Sequence, residues 1–116
     1  QMRIAFTEPA IAALRAQFGP DVNLRLIYDT EGCGCAVNGV PALRVIARAE
    51  PDDARAESDA FAVYYAPRQA VFFEEELTVG YAADKRSFIL KSKQQIYSGS
   101  MDVRDERIQS ATEGKA

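Results

Sequence analysis

Residues 22–29 read Val-Asn-Leu-Arg-Leu-Ile-Tyr-Asp, and this stretch decides the fold class. Every second residue from Val22 to Tyr28 is apolar, which predicts a strand with one buried face. Further short apolar stretches come after it, separated by turn signals at intervals of roughly 8–12 residues. This spacing favours a β-sandwich or rolled sheet over a parallel α/β sheet. We therefore predict a mostly β (α+β) domain of about six or seven short strands.

The residues before this strand predict one amphipathic helix near the N-terminus. Residues 2–6 are typical of a short strand, and Thr7 is a good N-cap for a helix that begins directly after it. Pro9 suits a first helical turn, and apolar residues then recur at helical spacing. Gly19-Pro20 is a stop signal. The sequence therefore predicts a helix over Glu8–Phe18.

The remainder of the chain predicts short strands joined by polar connections. We predict a loop at 30–41, strands at 43–49, 60–65, 77–81 and 86–91, an exposed connection at 50–59 and a helical turn at 67–76. Strands 43–49 and 60–65 are expected to form a hairpin. We predict a single domain over residues 2–104, and after it a poorly ordered tail at 105–116.

Composition excludes several classes of function. The 116 residues are 47% hydrophobic with a net charge of −3, and the basic residues are scattered among acids, which argues against a nucleic-acid interface. The chain has no His, so Ser-His-Asp and Cys-His nucleophile systems and imidazole metal sites are excluded. Few enzyme mechanisms therefore remain. No apolar run approaches the length of a membrane span or signal peptide, so we expect a soluble protein of the reducing cytoplasm.

The strongest candidate for chemistry is Gly32-Cys33-Gly34-Cys35. Two thiols at i and i+2 in a glycine-rich loop can point to one side, and thiolates bind soft metals and iron–sulfur clusters. Asp29 and Glu31 add oxygen ligands nearby. A closed site needs roughly four ligands, which two protomers related by a two-fold axis would supply. The spacing alone leaves three interpretations open: metal or cluster binding, inert structural thiols, and redox chemistry.

Two other constellations have simpler interpretations. Glu74-Glu75-Glu76 is typical of a solvated acidic surface, because consecutive acids on a turn point in different directions. Tyr64-Tyr65, with Phe61, Phe72 and Phe73, predicts core packing beside strands.

Several stretches together resemble the HesB-like, A-type iron–sulfur carrier (IscA-like) domains. Ile4-Ala5-Phe6-Thr7-Glu8-Pro9-Ala10 resembles the strand and helix start that open these domains. Leu24-Arg25-Leu26-Ile27, with Gly32-Cys33 after a short acidic gap, resembles the strand that leads to their first cysteine. Phe88-Ile89-Leu90-Lys91-Ser92, with Gln94-Gln95-Ile96-Tyr97 after it, resembles their late strand and turn. The order and spacing of these pieces extend over most of residues 2–104.

The resemblance implies a compact, largely β fold and an iron or iron–sulfur site between protomers. Only one cysteine position of the family carries over, to Cys33, and Cys35 is an additional thiol. The carriers have a Cys-Gly-Cys near the C-terminus, where this chain has Ser98-Gly99-Ser100. The chain therefore resembles the short, divergent bacterial YqkB-type branch of the family, and its fold can match while its function differs.

We accordingly expect a non-enzymatic iron or iron–sulfur binding protein of cluster assembly or iron handling, with Cys33 and Cys35 as its ligands. Its expected partners are a second copy of the chain on cluster binding, and assembly or recipient proteins. One alternative is an interaction domain that kept the fold and lost the cluster. Another is a small thiol redox protein.

Overall fold

The computed structural model describes residues 2–29 and 39–107. Its helical elements are α1 (Glu8–Phe18) and a 3₁₀ helix (Pro67–Phe72). The strands are β1 (Arg3–Phe6), β2 (Asn23–Asp29), β3 (Val40–Ile46), β4 (Ala54–Ala56), β5 (Ala62–Tyr65), β6 (Glu76–Ala82), β7 (Ser87–Lys91) and β8 (Ile96–Asp105).

Helix α1 has the bounds that its sequence predicts. The Thr7 hydroxyl accepts a hydrogen bond from the N–H of Ala10 at 3.3 Å, which satisfies one of the free donors of the first turn. Gly19 ends the helix with φ at 105°, a conformation that a side chain would strain. Ala10 and Leu14 are fully buried, so the helix packs its apolar face into the core of the sheet.

The strands form one eight-stranded sheet in the order β1-β6-β7-β8-β3-β2-β5-β4. Its two outer strands meet at a bridge between Arg3 and Glu57. There the N–H of Ile4 donates to the carbonyl of Glu57 at 2.8 Å, and the N–H of Glu57 donates to the carbonyl of Met2 at 2.9 Å. The sheet is therefore rolled into a nearly closed barrel. This confirms the predicted mostly β rolled sheet with one N-terminal helix, with a slightly larger number of strands.

The predicted hairpin between 43–49 and 60–65 is wrong. Strand β3 pairs with β2 and β8, whereas β5 lies parallel to β2 and antiparallel to β4. Alternation along a strand says which face is buried but does not choose the neighbouring strand. Strand β2 therefore lies between the two strands that were expected to pair.

Other boundaries also differ from the predictions. The connection 50–59 contains the short strand β4, and β3 already begins at Val40 inside the predicted loop. Strand β8 is not among the predicted strands, and its pairing with β7 is interrupted by two register irregularities. It continues to Asp105, and the side chain of Arg107 then donates to the carbonyl of Phe18 at 3.0 Å. The rest of the predicted tail, residues 108–116, lies outside the described residues.

The core lies inside the roll, between the sheet and α1. Its members are the inward-facing residues of nearly every strand and two residues of the helix. The largest fully buried side chains are Ile4, Leu14, Leu24, Leu26, Leu43, Leu90, Val45, Val63 and Val79. Strand β3 is buried on both faces from Pro41 to Ile46, so its outward side chains are also covered.

One end of the roll, here called the loop end, collects the features that matter for function. Strands β2, β5 and β7 finish there, and β3, β6 and β8 begin there, as their relative directions require. The 3₁₀ helix also lies at this end, because it joins the end of β5 to the start of β6. Helix α1 lies at the other end of the roll, where it connects the last residue of β1 to the first residue of β2.

Candidate functional site

Cys33 and Cys35, the predicted ligands, lie outside the described residues, as do Glu31 and the rest of 30–38. The structure does describe the two positions from which this segment starts and to which it returns. Strand β2 ends at Asp29, and Asp29 is paired with Val40, the first residue of β3. The thiol-bearing segment is therefore closed by two directly adjacent strands at the loop end.

Tyr28 holds both ends of this segment. Its phenol oxygen accepts a hydrogen bond from the N–H of Gly39 at 3.3 Å. Its main-chain N–H donates to Oε1 of Gln69 at 3.0 Å, and its carbonyl accepts from Nε2 of Gln69 at 3.1 Å. The pairing of β2 with β5 ends at Leu26. Beyond that point, the side chain of Gln69 bonds the main-chain N–H and carbonyl of Tyr28 in place of a neighbouring strand.

A cluster of aromatic rings lies at the loop end. The rings of Tyr28 and Phe72 are stacked, with centroids 4.2 Å apart and planes 12° from parallel. Phe73 contacts Tyr28 edge-on at 5.8 Å, and it also contacts Tyr97 of β8 at 5.7 Å. The predicted aromatic core is thus present in part: Phe61 is buried against Phe6, whereas Phe72 is partly exposed.

Arg44 is a buried charged residue, with 7% of its surface exposed. Its guanidinium contacts Asp102 at 3.1 Å, Glu106 at 3.3 Å and Asp29 at 4.0 Å. These carboxylates belong to β8, to the residue after it, and to the last residue of β2. Sequence reasoning treated Arg44 as one of several scattered surface bases. The signal that was available is its position within an otherwise apolar strand.

The segment Ser98-Gly99-Ser100 lies near the start of β8, at the loop end. Asp102 of β8 pairs with Ala42 of β3, and β3 borders the thiol segment. Ser100 precedes this pair by two residues. Pairing of β8 with β7 shifts register on both sides of Ser98, and the N–H of Ser100 donates to the Ser98 hydroxyl at 3.2 Å. The fold thus places Ser98 and Ser100 at the same end of the roll as Asp29 and Val40, between which the thiol segment runs.

A second ion pair lies farther along β2. Asp53 accepts from Arg25 at 2.8 and 3.0 Å, and it also accepts from the N–H of Glu50 at 3.1 Å. Burial alone raises the pKa of Asp53. The hydrogen bonds from Arg25 and from Glu50, with the charge of Arg25, outweigh that effect, so the pKa lies below its ordinary value.

Two hollows open on the surface. One, of about 220 Å³, lies between β2 and the 3₁₀ helix and is lined in part by Asp29, Arg68 and Gln69. The other, of about 670 Å³, runs along the seam between β1 and β4, and its lining includes Ser58. The hydroxyl of Ser58 is buried there without a hydrogen-bond partner. Of these two hollows, the smaller borders the thiol segment.

The described residues do not form a metal site by themselves. Within 2–29 and 39–107, no three side chains of His, Cys, Asp or Glu are grouped so that they could hold a metal ion. The Glu74-Glu75-Glu76 run is engaged elsewhere: Glu74 accepts from Ser92 at 2.8 Å, and Glu76 pairs with Arg3 and Lys93. Any soft-metal site must therefore use ligands from 30–38, a second chain, or both.

The rolled sheet and the order of its parts identify the class. The family model for iron–sulphur cluster biosynthesis matches residues 2–105, so the chain belongs to that family and to iron–sulfur cluster biosynthesis. A relative from Bacillus subtilis (strain 168), the uncharacterized protein YqkB, is 33% identical over 104 residues, which are 88% of this chain and 97% of YqkB. The YqkB-type resemblance is therefore confirmed.

Solved structures share the fold. One is a Fe–S biosynthesis protein of Lactobacillus acidophilus. The match covers 99% of the present chain and 100% of the Lactobacillus chain, with a TM-score of 0.77 and 19% identity. A second is a Fe–S biosynthesis protein of Lactobacillus salivarius. The match covers 91% of the present chain and 99% of that protein, with a TM-score of 0.73 and 14% identity. Escherichia coli SufA, involved in biosynthesis of iron–sulfur clusters, matches 77% of each chain, with a TM-score of 0.54 and 21% identity. In the part of the chain described here, no helix is long and apolar enough to cross a membrane.

Proposed function

We propose that this protein is a non-enzymatic cytoplasmic protein that holds iron or an iron–sulfur cluster during cluster assembly, with Cys33 and Cys35 as ligands. One observation carries the proposal. Both thiols of the chain lie in a single segment that adjacent strands of a cluster-biosynthesis fold close, at Asp29 and Val40. Thiolates are the ligands that iron–sulfur clusters require, and the chain has no His to offer instead.

The number of donors determines the stoichiometry. One chain offers two thiols, whereas a cluster is held by roughly four. Among the described residues, no three acids are grouped to bind a metal ion by themselves. We propose that two copies share one cluster, and that the cargo then passes to assembly or recipient proteins.

The decisive experiment is anaerobic reconstitution with ferrous iron and sulfide. Wild-type protein should give a coloured dimer whose iron and sulfide contents match one cluster for each pair of chains. Cys33→Ser and Cys35→Ser should each lose the colour and both inorganic components, while Ser87→Ala serves as a matched control at an unrelated strand end. Retention of iron and sulfide by both cysteine variants would rule out the thiol ligands. A coloured species that stays monomeric would point to Asp29 or Glu31 as additional ligands.

A second candidate is an interaction domain that has lost the cluster. It is favoured by Ser98 and Ser100, which stand where the carriers have cysteines, and by exposed apolar side chains at the loop end. The same reconstitution separates the two, because an interaction domain would bind neither iron nor sulfide. A thiol redox protein would in addition show an acidic pKa for one of its cysteines, measured by the pH dependence of alkylation.

A further inference from the structure

The larger of the two hollows lies at the seam where the roll closes on itself, and we call it the seam hollow. Its volume is about 670 Å³, and its lining includes Arg3, Ile4 and Ala5 of β1 and residues 55–59 on the facing edge. The two edges are joined through Glu57, which forms a single bridge to Arg3 of β1. A hollow of this volume is within the range of sites that take small molecules.

The seam hollow contains a polar group that the described chain does not satisfy. The hydroxyl oxygen of Ser58 is shielded from solvent and has no hydrogen-bond partner among the described residues. Ser58 as a whole is only partly buried and lines the hollow, so a change of side-chain rotamer would present its hydroxyl to a ligand. A buried polar group without a partner calls for an explanation, and a bound molecule would supply the missing hydrogen bond.

The charged side chains of the hollow leave one charge of each sign without an ion pair. Arg3 lies 3.1 Å from Glu57, so these two charges compensate each other. The guanidinium of Arg55 lies over the ring of Tyr64, 5.9 Å from its centroid, and contacts no carboxylate of the described chain. Asp59 is exposed and pairs with no cation in the same part of the chain. A ligand that carries both charges would compensate both side chains.

The chemistry of these two side chains defines the groups of such a ligand. A guanidinium donates two parallel hydrogen bonds to a carboxylate, and an aspartate accepts from an ammonium group. The contact with Tyr64, the partner of Arg55 across the β4–β5 pair, already orients the guanidinium. A side chain that is held in this way loses little conformational entropy when a ligand binds it.

We propose that the seam hollow binds an α-amino acid with an apolar side chain. Arg55 binds its carboxylate, Asp59 binds its ammonium group, and the Ser58 hydroxyl donates a further hydrogen bond to the carboxylate. The exposed methyl group of Ala5 and the aliphatic stems of the arginines contact its side chain. A simple anion would meet the acids of the hollow and a simple cation its arginines, whereas a zwitterion is complementary to both.

This inference does not rest on the proposed function. The seam hollow is formed by β1, by β4 and by the residues directly after β4, whereas the thiol segment runs from β2 to β3. Amino-acid binding can therefore be measured on the metal-free chain, and its success or failure is independent of iron and sulfide.

The first test is a titration of isotope-labelled, metal-free protein in reducing buffer, followed by NMR. Three probes share one side chain: L-leucine carries both charges, N-acetyl-L-leucine only the carboxylate, and L-leucinamide only the ammonium group. L-Leucine should shift the amide signals of Ala5, Glu57 and Ser58 saturably, and each single-charge probe should bind about tenfold more weakly. Absence of saturable shifts at these residues with L-leucine would overturn the site. Equal affinity for either single-charge probe would overturn the zwitterion.

The second test removes each charge of the hollow without removing its bulk. Arg55→Met and Asp59→Asn should each raise the dissociation constant for L-leucine by about tenfold. Arg48→Met and Asp84→Asn are the matched controls, because both residues are exposed and lie outside the hollow, and they should bind like the wild type. Circular dichroism verifies that each variant is folded. Hollow variants that bind L-leucine like the controls would refute the assigned contacts.

Ser58→Ala separates a ligand contact from a structural role. Because its hydroxyl has no partner in the described chain, its removal should leave the Tm of the ligand-free protein unchanged or raise it. The affinity for L-leucine should nevertheless fall several-fold, and saturating L-leucine should raise the Tm of the wild type by linkage. A lower Tm with unchanged affinity would show that the hydroxyl bonds a structural water, and the role of Ser58 in binding would then be wrong.

Discussion

The guanidinium of Arg44 lies 3.1 Å from a carboxylate oxygen of Asp102, and this ion pair joins β3 to β8 beneath the loop end. Asp29 and Glu106 approach the same guanidinium, so one cation is shared by acids from three parts of the chain. Arg44 is buried, and it is therefore screened by water much less than a surface arginine would be.

Replacing Arg44 should destabilise the fold strongly. In Arg44→Met the three acids face one another without their cation, and we expect the free energy of unfolding to fall by about 3 kcal/mol. Arg104→Met is a matched control, because Arg104 contacts the same Asp102 at 3.2 Å but is 63% exposed. That variant should cost less than about 1 kcal/mol. Urea unfolding of both variants at pH 7 measures the difference; similar losses would contradict the importance of burial.

Asp53 should make stability depend on pH. Its pKa is lower in the folded chain than in the unfolded chain, so its stabilising contribution is present above the unfolded value of about 3.9. It is lost as the pH falls through the folded value. Asp53→Asn should therefore cost about 2 kcal/mol at pH 7, and the gap to the wild type should narrow in acid. Denaturant unfolding from pH 7 to 3 tests this.

Glu57→Gln is the control for Asp53→Asn. Glu57 pairs with Arg3 at 3.1 Å, but both side chains are more than half exposed, so the change at pH 7 should be within about 1 kcal/mol. A constant difference between Asp53→Asn and the wild type at every pH would show that lost packing, and not the charge, is responsible.

Gln69 should control local opening at the base of the thiol segment. Gln69→Ala removes both hydrogen bonds to the main chain of Tyr28, so we expect a loss of about 1–2 kcal/mol. The amide of Tyr28 should also exchange with solvent faster, since its acceptor is gone. Gln94→Ala, at an exposed turn, is the control and should leave this rate unchanged. NMR-detected hydrogen exchange would contradict the assignment if Tyr28 remained equally protected.

Ser98 and Ser100 can be used to test whether the site has the geometry of the carriers. A double substitution to cysteine should slow the loss of iron to a chelator several-fold, because thiolates bind iron better than hydroxyls do. Ser87→Cys, which adds a thiol at the start of β7, controls for thiol content. If the double variant is folded by circular dichroism yet shows no gain, the carrier-like geometry is wrong, and the interaction-domain alternative gains support.

The sequence predicts well the features that depend on neighbouring residues. Thr7 and Gly19 delimit α1 because capping is local chemistry, and both bounds agree with the structure. The burial of Leu24 and Leu26 results from the same alternation that predicts β2. The family, too, is evident from the order of such local pieces, since each occupies its own short stretch of chain.

The candidate site is only partly predictable. Cys33 and Cys35 can be singled out from the sequence, because both thiols are close together in it. The roles of Gln69 and Arg44 cannot be read in this way. Gln69 bonds Tyr28, which is 41 positions away in the sequence, and Arg44 contacts Asp102, which is 58 positions away. Nothing local distinguishes Gln69 from an ordinary surface residue, and the position of Arg44 in an apolar strand indicates burial without naming its partners.

The sequence by itself determined the helix, the faces of the strands and the clustering of both thiols, because these depend on the period and chemistry of adjacent residues. Only the tertiary structure decided that β5 pairs with β2 and not with β3, and that the seam hollow forms between β1 and β4. The physical reason is that sheet hydrogen bonds join main-chain groups, which are alike in every strand. The choice of partner strand therefore depends on how the whole core packs.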